Sequence, residues 1–300
     1  MVDQAERLRL LAEKIKQEAK QKAGLARARV IAVTSGKGGV GKTNITANLG
    51  IAMAQAGRRV LIIDTDLGLA NADVVLGVSP QHSLSQVLKG EKAIEEIIVE
   101  GPAGVKLIAG GSGFQELINI NNPRLSRFLS SLEAMEEMAD VILLDTGAGL
   151  SKNVLSFVLA ADEVIVVTNP EPTALTDAYV TIKAIVKKSP AARPKLLINR
   201  VGDEEEFHSA QNRLVKVCQR FLGINLDVLG YILDDPNVPR AVKNQKPFLL
   251  AYPGTPASRC LKRLADKLIG TPASQAATEV KGIRGFFGRL VRSFSSSTVS

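Results

Sequence analysis

One short run limits what this chain can fold into more than any other: Gly36-Lys37-Gly38-Gly39-Val40-Gly41-Lys42-Thr43. It fits the spacing GxxxxGK[ST], follows an apolar run at Val30–Thr34, and opens a helix-forming stretch at Lys42–Ala56. Glycines let the backbone curl until successive N–H groups point inward, and the helix behind them adds the positive end of its dipole. The loop is therefore predicted to cradle phosphate, with Lys42 reaching the β- and γ-phosphates of a nucleotide, Thr43 holding Mg²⁺ and Asn44 beside it. A glycine-rich structural turn is the alternative.

The rest of the chain supplies the sheet such a loop needs. Strands are predicted at Val30–Thr34, Val60–Asp64, Val105–Ala109, Val141–Asp145, Val164–Thr168, Lys195–Asn199 and Leu226–Tyr231. Between them, helices are predicted at Lys42–Ala56, Pro123–Met138, Lys152–Ala160, Thr173–Lys187, Glu204–Phe221 and Thr255–Leu268. The strands are apolar on both sides. Apolar residues make up 45% of the chain and aromatics only 4%, a balance that suits aliphatic strands covered by helices on both faces. The predicted fold is α/β, a doubly wound and mostly parallel sheet, with ligands at the carboxyl ends of its strands. No repeat is found, and the predicted organisation is an N-terminal helix in 1–28, a nucleotide-binding domain in 29–269, a linker in 270–278 and a tail in 279–300.

Acidic residues fall where this topology would bring them to the phosphates. Asp64 and Asp66 end the second strand in IIDTDLG, and Asp145 ends the fourth in LLDTGAG. Carboxylates there can hold Mg²⁺ through water and orient an attacking water; capping a turn is the alternative, and Asp64 in particular can be structural. Lys37 is the unusual member of the loop. It sits on the outer lip, where its ammonium can reach a phosphate bound in a facing subunit, or can be an ordinary surface lysine.

SGKGGVGKT, VLIIDTDLGLANADVVLG, VILLDTGAG and LLINR together resemble the signature blocks of the MinD/ParA/Mrp ATPases, whose phosphate loop carries an extra lysine; the resemblance covers roughly residues 29–269. Within that family KTN, DTGAGLS (Gly147 where MinD has Pro) and NPEPTALTDAY resemble the flagellar-number regulators of the FlhG (YlxH/FleN) group. The resemblance implies ATP hydrolysis with Mg²⁺ and a homodimer formed with ATP. It makes Lys37, Lys42 and Asp66 catalytic, Asp66 positioning the water and Lys37 neutralising charge across the dimer. It places Thr43 and Asp145 at Mg²⁺, the Gly149 N–H at the γ-phosphate, and Asn199 at adenine with Arg200 nearby. Asp234–Val238 is expected to close over the base, and Glu171 and Asp177 to touch ribose or the partner subunit, with helix capping the alternative for Asp177. DQAERLR at the start resembles a motif that stimulates an FlhF-type GTPase, implying contacts from Asp3, Gln4, Leu8 and Arg9.

Charge is concentrated at the two ends. Residues 1–29 hold eight Lys/Arg against four Asp/Glu and residues 279–300 hold four against one, leaving +1 of the net +8 for the body. Asp3 to about Lys22 reads as a helix with Leu8, Leu11, Ala12, Ile15 and Ala19 on one face, capped by Asp3 and ended by Gly24. In the tail, Ile283, Phe286, Phe287, Leu290, Val291 and Phe294 recur at i, i+3, i+4, i+7, i+8 and i+11, with Lys281, Arg284, Arg289 and Arg292 at the edges and opposite side. A basic amphipathic helix after a linker reads as an anchor for an acidic phospholipid surface; packing on the protein's own core is the alternative. Gly285 and Gly288 each weaken it by about 1 kcal/mol, so it is expected to be largely unfolded in water.

No apolar run reaches the ~18 residues of a membrane span, and Met1–Ala23 is no signal peptide, so a cytoplasmic protein held peripherally at the membrane is expected. Flagellar rotor-ring proteins or a transcription regulator are further expected partners. A DNA-partitioning ATPase of the ParA type needs a basic body, which is absent here, so no direct nucleic-acid contact is expected. An iron–sulfur carrier of the Mrp type needs clustered cysteines, and Cys218 and Cys260 stand far apart. His82 and His208 read as ordinary packing or surface residues.

Overall fold

The computed structural model describes residues 28–66, 71–110, 113, 128, 131–132, 135–270 and 282–295. The contacts expected of Asp3, Gln4, Leu8 and Arg9 fall outside them, as do residues 271–278 of the linker and the side chains of Val291 and Phe294.

Eight strands form one sheet: β1 (Arg29–Ser35), β2 (Val60–Asp64), β3 (Ile98–Glu100), β4 (Lys106–Ala109), β5 (Val141–Ala148), β6 (Glu163–Thr168), β7 (Lys195–Val201) and β8 (Asp227–Leu233). Their order is β3-β4-β2-β5-β1-β6-β7-β8, every pairing parallel except that of the short β3 with β4. The helices with assigned bounds are α1 (Lys42–Gln55), α2 (Ala72–Leu76), α3 (Leu84–Lys89), α4 (Lys152–Ala160), α5 (Pro172–Lys188), α6 (Glu204–Leu222), α7 (Asn237–Lys243), α8 (Phe248–Ala251), α9 (Pro256–Gly270) and α10 (Gly282–Ser295). All seven predicted strands are present. The sequence pattern missed β3, α2, α3, α7 and α8, each too short to show a period. Of the helix predicted at 123–138, the described positions 128, 131–132 and 135–138 are helical.

Period-2 alternation divides each central strand between two cores. Val30, Ala32, Ile142, Leu144, Val164 and Val166 face one layer, with α4, α5, α6 and α10. Ile31, Val33, Val141, Leu143, Ile165 and Val167 face the other, with α1, α8 and α9. Burial on both faces is why these strands read as continuous apolar runs.

The tail differs from its expectation. α10 is helical and docked, with Ile283, Phe286, Phe287 and Leu290 all at 0–1% exposure against α4 and β1. The Phe287 ring meets Phe128 and Phe286 edge-to-face at 4.9 and 5.0 Å. Burying four large apolar side chains contributes roughly 1.5–3 kcal/mol each, which exceeds the helix-propensity cost of two glycines. Those glycines are themselves buried. Packing on the body, the alternative weighed above, is the arrangement found.

A buried amide staples the second core to the loop helix. Asn48, 0% exposed on α1, donates from Nδ2 to the Asn44 carbonyl (2.8 Å) and accepts the Leu249 N–H from α8 (2.9 Å). Asn48→Leu keeps the shape but leaves the Leu249 N–H without its acceptor. Denaturant unfolding is expected to show a loss of about 1–3 kcal/mol with an unchanged slope.

Candidate functional site: a phosphate loop facing two carboxylate-ended strands

β1 runs between β5 and β6 and ends at the point where the strand order reverses, and the loop Gly36–Gly41 leaves from there into α1. Gly39 and Gly41 have φ of +79° and +95°, which a side chain would strain. The space over Gly38 and Gly39 is open, with no atom within 4 Å of where a Cβ would stand. Gly36 is required for another reason, since a Cβ there would lie 2.3 Å from the Asp177 carbonyl oxygen of α5. An open cradle of backbone at the head of a long helix fits a phosphate chain.

Under the loop, Lys42 is 8% exposed and its ammonium donates to Asp145 Oδ1 at 2.8 Å. Thr46, one helical turn on, donates to the same oxygen at 3.2 Å. β2 and β5 are in register with Asp64 opposite Asp145, so two carboxylates end adjacent strands. Burial, and then the Asp145 charge, push the Asp64 carboxyl up to about 6. Asp64 Oδ1 accepts the Asp66 N–H (3.0 Å), and Oδ2 accepts those of Asn71 and Ala72 (both 3.1 Å). Asp64 is thus the clamp of the loop after β2, the structural use raised for it above. Asp66 itself is half-buried beside Gly147; a Cβ on that glycine would come within 3.5 Å of Asp66 Oδ1. Thr65 ties the same loop to β5, with N–H and hydroxyl both donating to the Asp145 carbonyl (2.8 and 2.9 Å).

Several other predicted residues have definite partners. The Gly149 N–H donates to the Ser35 carbonyl at 2.8 Å. Asn199 is buried and donates from Nδ2 to the Val40 carbonyl at 2.8 Å, so that nitrogen supports the phosphate loop from below. A Cβ on Gly41 would stand 2.4 Å from it. Arg200 is exposed with φ of +56°, a conformation costly for a non-glycine residue at the mouth of the site. Asp235, in the segment expected to close over a base, is 3% exposed and accepts from Asn237 N and Nδ2 (both 2.9 Å) and Ala257 N (3.3 Å). It fixes the start of α7 and α9. Asp177 lies inside α5, so capping is not its role; its carbonyl accepts the Thr181 hydroxyl at 2.8 Å and abuts Gly36.

Lys37 does not point into its own loop. Its ammonium donates to Glu171 Oε2 (2.9 Å) and Thr173 Oγ1 (3.1 Å), both on the outer rim. With side-chain exposures of 40% and 58% for lysine and glutamate, this pair is solvated and readily exchanged. The Lys37 hydrogen bond holds the Glu171 carboxyl below its ordinary range. Cys218 and Cys260 are both buried, and burial pushes the Cys218 thiol up to about 11. Among the described residues, no group of three or more His, Cys, Asp or Glu side chains is gathered as a metal cluster would need.

A family model described as an AAA domain matches residues 28–198. The "Antiactivator FleN" of Pseudomonas aeruginosa is 38% identical over 253 residues, covering 84% of this chain and 90% of that protein. The "Flagellum site-determining protein YlxH" of Helicobacter pylori is 36% identical over 268 residues, covering 88% and 90%. The solved structure of the septum site-determining protein MinD complexed with Mg-ADP, from Pyrococcus horikoshii, superimposes with a TM-score of 0.64 at 29% identity, covering 81% of this chain and 98% of that one. The chain belongs to the MinD/ParA family of P-loop ATPases.

The two neighbouring carboxylates give a direct test. In carboxyl-carbon NMR of the nucleotide-free protein, Asp64 is expected to titrate near 6. Asp145→Asn removes the like charge, so the Asp64 midpoint is expected to fall toward the ordinary Asp value; an unmoved midpoint means the two do not sense each other.

Proposed function

We propose that this chain is an ATP-driven molecular switch that sets the number or placement of flagella, pairing with a second copy of itself when ATP is bound. The observation that carries the pairing is Lys37, held on the rim by a solvated carboxylate instead of turning into its own loop. An ammonium stationed there is free to exchange Glu171 for the phosphates of a facing subunit, which makes the nucleotide part of the contact. The FleN and YlxH likeness supports the flagellar assignment.

Within one subunit the roles follow from position. Loop N–H groups and Lys42 bind the triphosphate, Lys42 leaving Asp145 to do so. Thr43 and, through water, Asp145 would hold Mg²⁺, which supplies neutralising charge at the phosphates. Asp66 orients the attacking water, its loop fixed by Asp64. The γ-phosphorus–oxygen bond to ADP breaks as the water oxygen bonds to phosphorus, giving ADP and phosphate. Asn199 steadies the loop through Val40, and its free amide oxygen remains available to the adenine amino group. Gly149 gives up its bond to Ser35 if its N–H is to meet the γ-phosphate.

The tail is the output. No helix among the described residues is long and apolar enough to cross a membrane, and we read the tail's contact with a bilayer as peripheral, on the cytoplasmic face. α10 is stowed with its apolar face in the body, and release of that face lets it lie in an acidic phospholipid surface. Two released copies on one dimer gain roughly 10²–10⁴ in avidity. The N-terminal segment, through Asp3, Gln4, Leu8 and Arg9, stimulates an FlhF-like GTPase, and rotor-ring proteins or a flagellar transcription regulator are further partners.

Light scattering with a non-hydrolysable ATP analogue is expected to show dimers of the wild type and monomers of Lys37→Ala. Asp66→Ala is expected to bind ATP and dimerise while phosphate release falls to background. Normal turnover by either variant removes the role assigned to that residue. Deletion of residues 279–300 is expected to preserve ATP binding and abolish sedimentation with anionic liposomes; retained sedimentation refutes the anchor.

A further inference from the structure

α10 has two places to bury the same apolar face, its groove and a bilayer, and the hydrophobic gain is similar in both. What differs between them is the partner of the cationic groups. In the groove Arg289, whose side chain is 13% exposed, donates from Nη2 to Asp162 Oδ1 and from Nε to the Ala160 carbonyl, both at 2.7 Å. Asp162, 5% exposed, also accepts the Gly282 N–H at the head of α10 (3.2 Å) and the Val30 N–H at the root of β1 (3.1 Å), both on Oδ2. One carboxylate therefore meets the first residue of the helix and its central arginine, which stand two turns apart. Around it, the Arg284 N–H donates to Glu136 Oε1 (3.5 Å) and Ser293 Oγ pairs with Ser156 Oγ (2.8 Å). Burial drives the Asp162 carboxyl above its ordinary range, and the Arg289 charge partly opposes that rise.

We infer that Asp162 is the residue that decides between stowage and membrane: it stands in for an anionic lipid headgroup, and the helix leaves when lipid phosphate replaces it as the partner of Arg289. This rests on the membrane reading of the tail and adds the residue of the body, Asp162, that competes with the lipid for Arg289. Charge-assisted bonds of this kind are exchangeable one for another, whereas a zwitterionic surface offers no net charge to replace the buried carboxylate.

The test uses the full chain without nucleotide. Asp162→Asn keeps an acceptor for Val30 and removes the charge. It is expected to speed amide hydrogen exchange in residues 282–295 and to raise flotation with phosphatidylglycerol-containing vesicles by about tenfold or more, with no gain on phosphatidylcholine vesicles. Arg289→Gln is expected to speed the same exchange without that gain, since the released helix has lost its headgroup ligand; this variant also covers the case in which Asp162→Asn fails to fold. Wild-type exchange and flotation in both variants, with the wild type still binding anionic vesicles under an ATP analogue, overturns the switch and leaves the anchor standing. Faster exchange with no vesicle binding by any form, ATP analogue included, sinks the anchor and the switch together. Equal gains on both vesicle types, or release by inorganic phosphate alone, overturn the headgroup exchange.

Discussion

A lysine ammonium and an aspartate carboxylate meet at 2.8 Å beneath a glycine loop, at the carboxyl edge of the sheet's centre. Lys42 comes from the helix behind the loop and Asp145 from the strand beside it, so the pair forms only if β1 and β5 are neighbours. A charge taken this far from water is tolerated only when paired and hydrogen-bonded. Thr46, Thr65 and Asp64 are arranged around the pair, and the remainder of the fold serves to hold β2, β5 and β1 in register.

That register joins the parts that must respond to a nucleotide. Asp145 meets Lys42 through its side chain and Thr65 through its carbonyl, so the loop after β2 is tied to the strand at the phosphates. Asp64 then fixes the backbone on either side of that loop. On the other flank Asn199 reaches up from β7 to Val40, and Gly36 lies against α5. Moving the loop therefore moves contacts with β2, β5, β7 and α5 together. At its lip the Lys37–Glu171 pair is the exception, exposed to solvent and cheap to break.

The tail has the opposite design. Ile283, Phe286, Phe287 and Leu290 are buried, and Asp162 meets both Gly282 and Arg289 of the helix while also touching the foot of β1, the strand that ends in the phosphate loop. Release of α10 uncovers the faces of α4 and β1 on which it packs, a cost that a bilayer can offset and bulk water cannot.

Most of the site was legible in the sequence, because a phosphate loop is a local object: eight consecutive residues specify both its curl and its chemistry. The strands were legible for a similar reason, since burial on both faces leaves an unbroken apolar run. The roles of Asn199 and Glu171 were not. Asn199 bonds a carbonyl 159 positions away and Glu171 an ammonium 134 positions away, and nothing in the local pattern of either residue encodes the meeting. The tail shows the limit most clearly. Ile283, Phe286, Phe287 and Leu290 announce by their spacing that one face of a helix must leave water, and the sequence settled that much alone. Whether the face is covered by lipid or by α4 and β1 was decided by the folded body, because hydrophobic burial has no direction and identifies no partner.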